Sequence, residues 1–375
     1  MPSKAFNNFH ASCFGNSLSA VRDGVDIGAL LALEGAERAE AARLVLEAIP
    51  TSGDDYRASM AAAYLSLPEA IPLVKARLAD TRARDDSRIW TAWSLYRLNR
   101  DPAAVALVLD ILRVTDPEQI FSCWNSGLIV VEWFDLTPPV LVALLELVIR
   151  VKPNYFLIRQ CRKVFGHRYL DAFEAFREPG LEKPREQRAL ALQIWRDLPE
   201  ATRQSLRSRL LAKLAATRSP EVAVVPGLLQ LPEAAPLIRQ IMATAKEGPA
   251  KVDCALALYQ IDGAPEARAI CLAVLRSDLS SGQRLCALEA LLHMTPEPGS
   301  TTALLDTAEH DPDLYIRERS LAVLAELFHE DDTITSIRAA HMWPYDWPLG
   351  SQWQQPPAET MAALRAAVAR ALAAS

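Results

Sequence analysis

Residues 65–79 read LSLPEAIPLVKARLA, and residues 229–243 read LQLPEAAPLIRQIMA. Eight of the fifteen positions are identical, and most of the others are conservative. A match of this length between distant stretches of one chain marks an internal repeat. A looser echo pairs SLYRLNRDPAA at 94–104 with ALYQIDGAPEA at 257–267. Working outward, the apolar residue just before each such turn forms a ladder: Leu67, Leu98, Leu136, Phe165, Leu198, Leu231, Ile261, Met294 and Leu327. The steps are 31, 38, 29, 33, 33, 30, 33 and 33 residues. A period in the low thirties is one helical hairpin per unit.

The local signals agree. Val252, Ala255, Leu256 and Tyr259 fall at i, i+3, i+4 and i+7, and Ile316, Ser320, Val323, Leu324 and Leu327, like Ile71, Val74 and Leu78, share one helical face. Alternating β-branched runs and hairpin-turn dipeptides are nearly absent. Proline follows most rungs within four residues (Pro68, Pro102, Pro138, Pro199, Pro232, Pro265, Pro296), supplying a fixed φ where a second helix starts. Pro72 and Pro236 are tolerable only in a first turn, where N–H groups lack intrahelical acceptors. Glu69, Glu200 and Glu233 suit the positive end of the helix dipole. One hairpin cannot bury both its faces, so the hairpins are expected to stack.

The Pro-Glu-Ala-x-Pro-Leu turn and the Ala/Leu-rich first helices, such as Cys254-Ala255-Leu256-Ala257-Leu258, resemble HEAT-type repeat proteins, especially the short bacterial kind. The resemblance covers roughly residues 54–328. It implies an all-α fold, an α-solenoid of about eight to nine hairpins with capping segments at both ends. The expected organisation is an N-terminal cap over 1–53, a solenoid over 54–328 that is irregular around 117–180, and a C-terminal segment over 329–375. Cap helices are expected near 26–34 and 37–49. The resemblance also implies that second helices line the concave face.

Half of the residues are apolar and 23% are charged, a globular balance with no sign of global disorder that excludes a disulfide scaffold, a collagen-like chain and a membrane protein. The opening residues contain no apolar run of signal-peptide length. The six cysteines (Cys13, Cys123, Cys161, Cys254, Cys271, Cys286) are scattered and form no CxxC pair, which reads as reduced, mostly buried thiols in a cytoplasmic chain.

Charge is uneven. Residues 150–218 hold 16 Lys and Arg against 7 Asp and Glu, in a chain whose net charge is −6. Lys75, Arg207, Arg239 and Arg268 recur shortly after the turns, and Lys75 and Arg239 are equivalent in the duplicated stretch. With Arg150, Arg203, Arg209 and Lys213 they are the candidate cationic surface for an acidic protein partner or a phosphate backbone. The competing reading is solvated helix faces paired with nearby carboxylates. A base-handling enzyme would need rings beside an acid there, and Trp195, Tyr155, Phe156 and Tyr169 with Asp171 are the residues on offer.

Residues 341–357, HMWPYDWPLGSQWQQPP, cannot continue a helix through Pro344 and Pro348. Trp343, Tyr345, Trp347 and Trp353 in this strap either cap the last repeat or bind a partner. A final helix is expected from Met361, Leu364, Ala367, Val368 and Leu372. There is no GxGxxG, P-loop, Gly-x-Ser-x-Gly or HExxH, and no metal site or cofactor is expected. His329-Glu330-Asp331-Asp332 reads as a solvated helix end. The expected function is a non-enzymatic protein-binding scaffold, adaptor or chaperone. The alternative is a nucleic-acid-binding protein or enzyme acting at the basic groove. Bacterial HEAT-like proteins of this length are often encoded beside secretion clusters, including type VI secretion, so the resemblance implies an effector adaptor or an immunity protein.

Overall fold

The computed structural model describes residues 2–15, 24–115, 121–152, 155–166, 184–246, 248–328 and 358–374. These residues form twenty α-helices and no strand. The chain divides into two compact units, Met1–Leu147 and Val148–Ser375. In each, helices pack mainly on sequence neighbours, as in an α-solenoid.

The first unit opens with α1 (Lys4–Phe14), α2 (Ile27–Leu31) and α3 (Gly35–Ala48). Hairpins follow: α4 (Arg57–Leu65) with α5 (Ala70–Leu78), α6 (Asp85–Asn99) with α7 (Pro102–Val114), and α8 (Phe121–Glu132) with α9 (Pro138–Arg150), whose last residues fall in the second unit. Among the described residues, α1 is a helix that the sequence did not lead one to expect. Arg57 ties it down: its guanidinium is buried and donates to the carbonyls of Ser12 at 2.8 Å and Gly15 at 2.9 Å.

The second unit continues with α10 (Tyr155–Val164) and α11 (Pro184–Asp197), then α12 (Glu200–Thr217), α13 (Pro220–Leu228), α14 (Ala235–Thr244), α15 (Pro249–Asp262), α16 (Pro265–Leu275), α17 (Ser281–Leu292), α18 (Pro298–His310) and α19 (Leu314–Leu327). The last helix, α20 (Ala358–Ala374), lies against α18, and Met361, Leu364, Ala367 and Val368 join the core. Every rung of the ladder falls within the last turn of a first helix or in the few residues after it. Residues 167–183, most of them in the stretch expected to be irregular, lie outside the described residues.

The duplicated stretches fold into the same turn. Ser66 and Gln230 both take the left-handed conformation, with φ of 57° and 55°. Leu67 N–H donates to Ala62 O at 3.1 Å, and Leu231 N–H donates to Pro226 O at 2.9 Å. One residue earlier, Ser66 N–H reaches Ala63 O and Gln230 N–H reaches Gly227 O. This pair of reversed bonds satisfies the last carbonyls of a helix and redirects the chain. The sequence identity therefore encodes one specific helix stop, used twice.

First and second helices have different surroundings. Val222 through Leu228 of α13 are all buried, and α15 buries Val252, Cys254–Leu258 and Gln260. By contrast α12 buries only Leu206, Leu210 and Leu214, and α14 only Ala235, Ile238 and Ile241. A helix buried all round is an inner element, and one buried along a stripe is an outer one. The first helices are therefore the more deeply packed element of these hairpins. The cause is side-chain size. Small residues on the first helices let backbones approach, and a Cβ added to Gly227 would lie 2.6 Å from Ala257 Cα.

Two substitutions at this crossing should act with opposite signs. Gly227→Leu has no space and should cost at least about 3 kcal/mol, the upper part of the overpacking range. Gln230→Gly relieves a left-handed side chain and should add about 1 kcal/mol. Urea unfolding of both variants checks this; equal and negligible shifts would refute the close crossing.

Candidate functional site

The eight candidate cations occupy varied environments, and several are engaged within the fold. Lys75 on α5 pairs with Asp101 at 2.7 Å, at the start of α7. Its hydrogen bond, with the Ala103 N–H also donating to Asp101, holds that carboxyl below its usual range. Arg207 on α12 reaches Glu233 at 3.1 Å, in the turn before α14. Arg239 on α14 pairs with Asp262 at 2.7 Å and lies 3.6 Å from Glu266, across the turn between α15 and α16. Arg268 on α16 is buried; it pairs with Glu297 and donates to Thr295 O at 2.9 Å, just ahead of α18.

A single geometry recurs in these four. A basic residue on the second helix of one hairpin meets an acid in the turn of the next. The acids are where proline-led second helices begin, so the recurrent Lys/Arg and the recurrent Asp/Glu read in the sequence are partners of each other. Most of these pairs are half exposed, so each on its own adds little to stability. Their common spacing fixes the offset between neighbouring hairpins.

Arg203 donates to Arg196 O and pairs with Glu200 on its own helix. Lys213 donates to Val151 O at 2.7 Å. Arg150 and Arg209 are exposed, and each has a partner of its own. Trp195 is buried and presents no open ring for a base. Tyr169, Asp171 and the strap residues Trp343, Tyr345, Trp347 and Trp353 lie outside the described residues, as do the side chains of Tyr155 and Phe156. Among the described residues, no group of three His, Cys, Asp or Glu side chains is placed to hold a metal ion.

The most distinctive surface was not anticipated. It lies on the first helices α4, α6 and α8 of the first unit. Tyr56, Met60 and Tyr64 recur every four residues along α4 and the residue preceding it. Trp90, Trp93 and Arg97 follow at i, i+3 and i+7 on α6. Ile129 and Trp133 are four apart at the end of α8. These spacings place each set on one helix face. Stacking then joins the faces: Tyr56 stacks on Trp90 at 5.6 Å between ring centroids, Tyr64 leans on Trp93 at 5.4 Å, and Trp133 meets Trp93 edge-on at 5.0 Å and Trp90 at 6.5 Å.

This band is open to solvent at one side. Trp133 is 37% exposed and Ile129 39%, while Trp90, Tyr56 and Tyr64 are half-buried and Trp93 forms the floor. The Arg97 guanidinium lies 4.5 Å from the Tyr64 centroid and 5.7 Å from that of Trp93. Burial there pushes the Arg97 guanidinium down from its ordinary value. Burial pushes the Tyr56 phenol up, and the charge of Asp86, one turn before Trp90, adds to that rise. The sequence did carry a signal: Trp90 and Trp93 share a helix face, and Tyr56 precedes Trp90 by one repeat.

The cysteines offer no reactive centre among the described residues. Cys13, Cys161, Cys254 and Cys271 are buried and Cys286 is partly so; burial pushes each thiol up to about 12. No helix among the described residues is long and apolar enough to cross a membrane. Neither a family model, nor a curated protein, nor a solved structure matches the chain.

Thiols held this far above neutrality are almost entirely protonated at pH 8 and react slowly. A disulfide-exchange reagent at that pH should leave at least these five unlabelled in the native chain and label them in urea. Rapid native labelling of Cys161 or Cys271 would show that the hairpins do not pack as described.

Proposed function

We propose that this chain works by binding another protein, as a scaffold, adaptor or chaperone, rather than by catalysis. The observation that carries the reading is the aromatic band on α4, α6 and α8, with Trp133 and Ile129 exposed beside the half-buried Trp90. A contiguous apolar patch on a folded surface is costly to leave in water and marks an interaction site. Trp and Tyr suit that role because they offer much contact area for few rotatable bonds. The band stands on helices rather than loops, so its rings are held in place before a partner arrives, which lowers the ordering cost of association.

The cationic surface supports a partner with an acidic face less directly. Lys75, Arg207, Arg239 and Arg268 already have carboxylates within the fold, so recruiting them means exchanging one partner for another. A nucleic-acid reading asks more, because it needs accessible rings among the cations and Trp195 is buried. Membership among HEAT-type repeat proteins, and an adaptor, chaperone or immunity role beside a secretion system such as type VI, form the finer version of the proposal. They rest on the resemblance carried by the Pro-Glu-Ala-x-Pro-Leu turns.

A photo-crosslinking amino acid at position 129 tests the reading in the native host. The expected result is a discrete protein adduct that disappears with Trp133→Ala and persists with Arg209→Glu. Adducts to nucleic acid, or a protein adduct lost only with Arg209→Glu, would overturn it.

A further inference from the structure

Resting on the protein-binding reading, we propose that the band formed by α4, α6 and α8 receives a basic segment of its partner, with arginine side chains stacking on Trp90 and Trp133. The face already uses this chemistry on itself. Arg97 covers Tyr64 and Trp93, and Arg100 lies 4.9 Å from the Tyr96 centroid. Those two arginines occupy the C-terminal end of α6 and the residue after it. Towards the other end, no cation among the described residues lies over Trp90 or Trp133. The ring faces of a Trp carry negative potential, and a guanidinium both stacks on them and donates at its edge.

Charge selects the same occupant. Residues 1–147 hold 19 Asp and Glu against 13 Lys and Arg, so the unit that bears the band is net acidic. Asp86 lies one turn before Trp90 on the same helix, and its Oδ1 is buried with no hydrogen-bond donor among the described residues. Its charge is felt at Tyr56, whose ring stacks on Trp90, ahead of the smaller effects of Asp55 in the same direction and of Arg57 and Arg84 in the opposite one. A carboxylate so placed raises the attraction of the ring pair for a cation and opposes an acidic segment. A second copy docking through this same face would bring its own net-acidic unit against the first, and like charges across an interface are unfavourable.

The test uses the full chain and three synthetic peptides of one sequence, carrying arginine, citrulline or glutamate at the same positions. Citrulline keeps the shape and removes the charge. Tryptophan fluorescence should report binding of the arginine peptide at least tenfold tighter than the citrulline peptide, weakening as salt rises, with no binding of the glutamate peptide. Trp133→Ala should lower that affinity at least tenfold. So should Ile129→Arg, which keeps every ring, sits at an exposed position and adds a like charge. Equal affinity for arginine and citrulline overturns the inference, as does arginine binding that neither variant weakens. Dimerisation in sedimentation velocity that Ile129→Arg abolishes would name a second copy as the occupant and overturn it too. A position-129 protein adduct without arginine preference removes this inference and leaves the protein-binding reading standing; loss of the adduct removes both.

Discussion

A hairpin of about thirty residues has more apolar surface than its own two helices can cover, and that shortage organises the whole chain. Each first helix must be closed by its sequence neighbours. The requirement is visible where α13 crosses α15: Gly227 has no room for even a methyl group against Ala257. It explains why α13, α15 and α17 are rich in Ala, Val, Cys and Gly, and why α12 and α14 keep only a stripe of apolar residues. It also explains the ends. Arg57 fastens α1 by its terminal carbonyls, and α20 lays Leu364 and Val368 into the core beside α18.

Stacking turns sequence period into spatial contact. Residues one repeat apart become neighbours, so recurring side chains meet their counterparts on the next hairpin. On the second helices this yields ion pairs from Lys75, Arg207, Arg239 and Arg268 to the following turn. On the first helices it yields the row of rings from Tyr56 through Trp90 to Trp133. The ion pairs close on themselves, whereas the rings leave Trp133 and Ile129 facing water. That difference is why the aromatic band, and not the cationic residues, is the stronger candidate for contact with another molecule.

The helical class and the positions of the turns were legible because proline and the left-handed stops at Ser66 and Gln230 are local chemistry. Which helix of a hairpin lies inside was not. Ala-rich helices such as α15 look amphipathic over short windows, and only contact with a neighbour reveals burial on every side. The recurrence of Lys75 and Arg239 was legible as a pattern, but its meaning depended on Asp101 and Asp262, which reach them only through inter-hairpin register. The ring band was obscured by the long unit around Leu136, which places Trp133 forty residues after Trp93 and breaks the regular count. The Trp- and Pro-rich stretch at 341–357 drew attention from composition alone and lies outside the described residues.

Stability drawn from adjoining hairpins has a distinctive local signature, because repeat architectures open in neighbouring blocks. Hydrogen–deuterium exchange of a chain carrying a bulky side chain at position 227 reads it directly. The account predicts that protection falls across α12 to α16 while α4, α6 and α7 keep their native exchange rates. A uniform loss of protection along the entire chain would show a single shared core and contradict it.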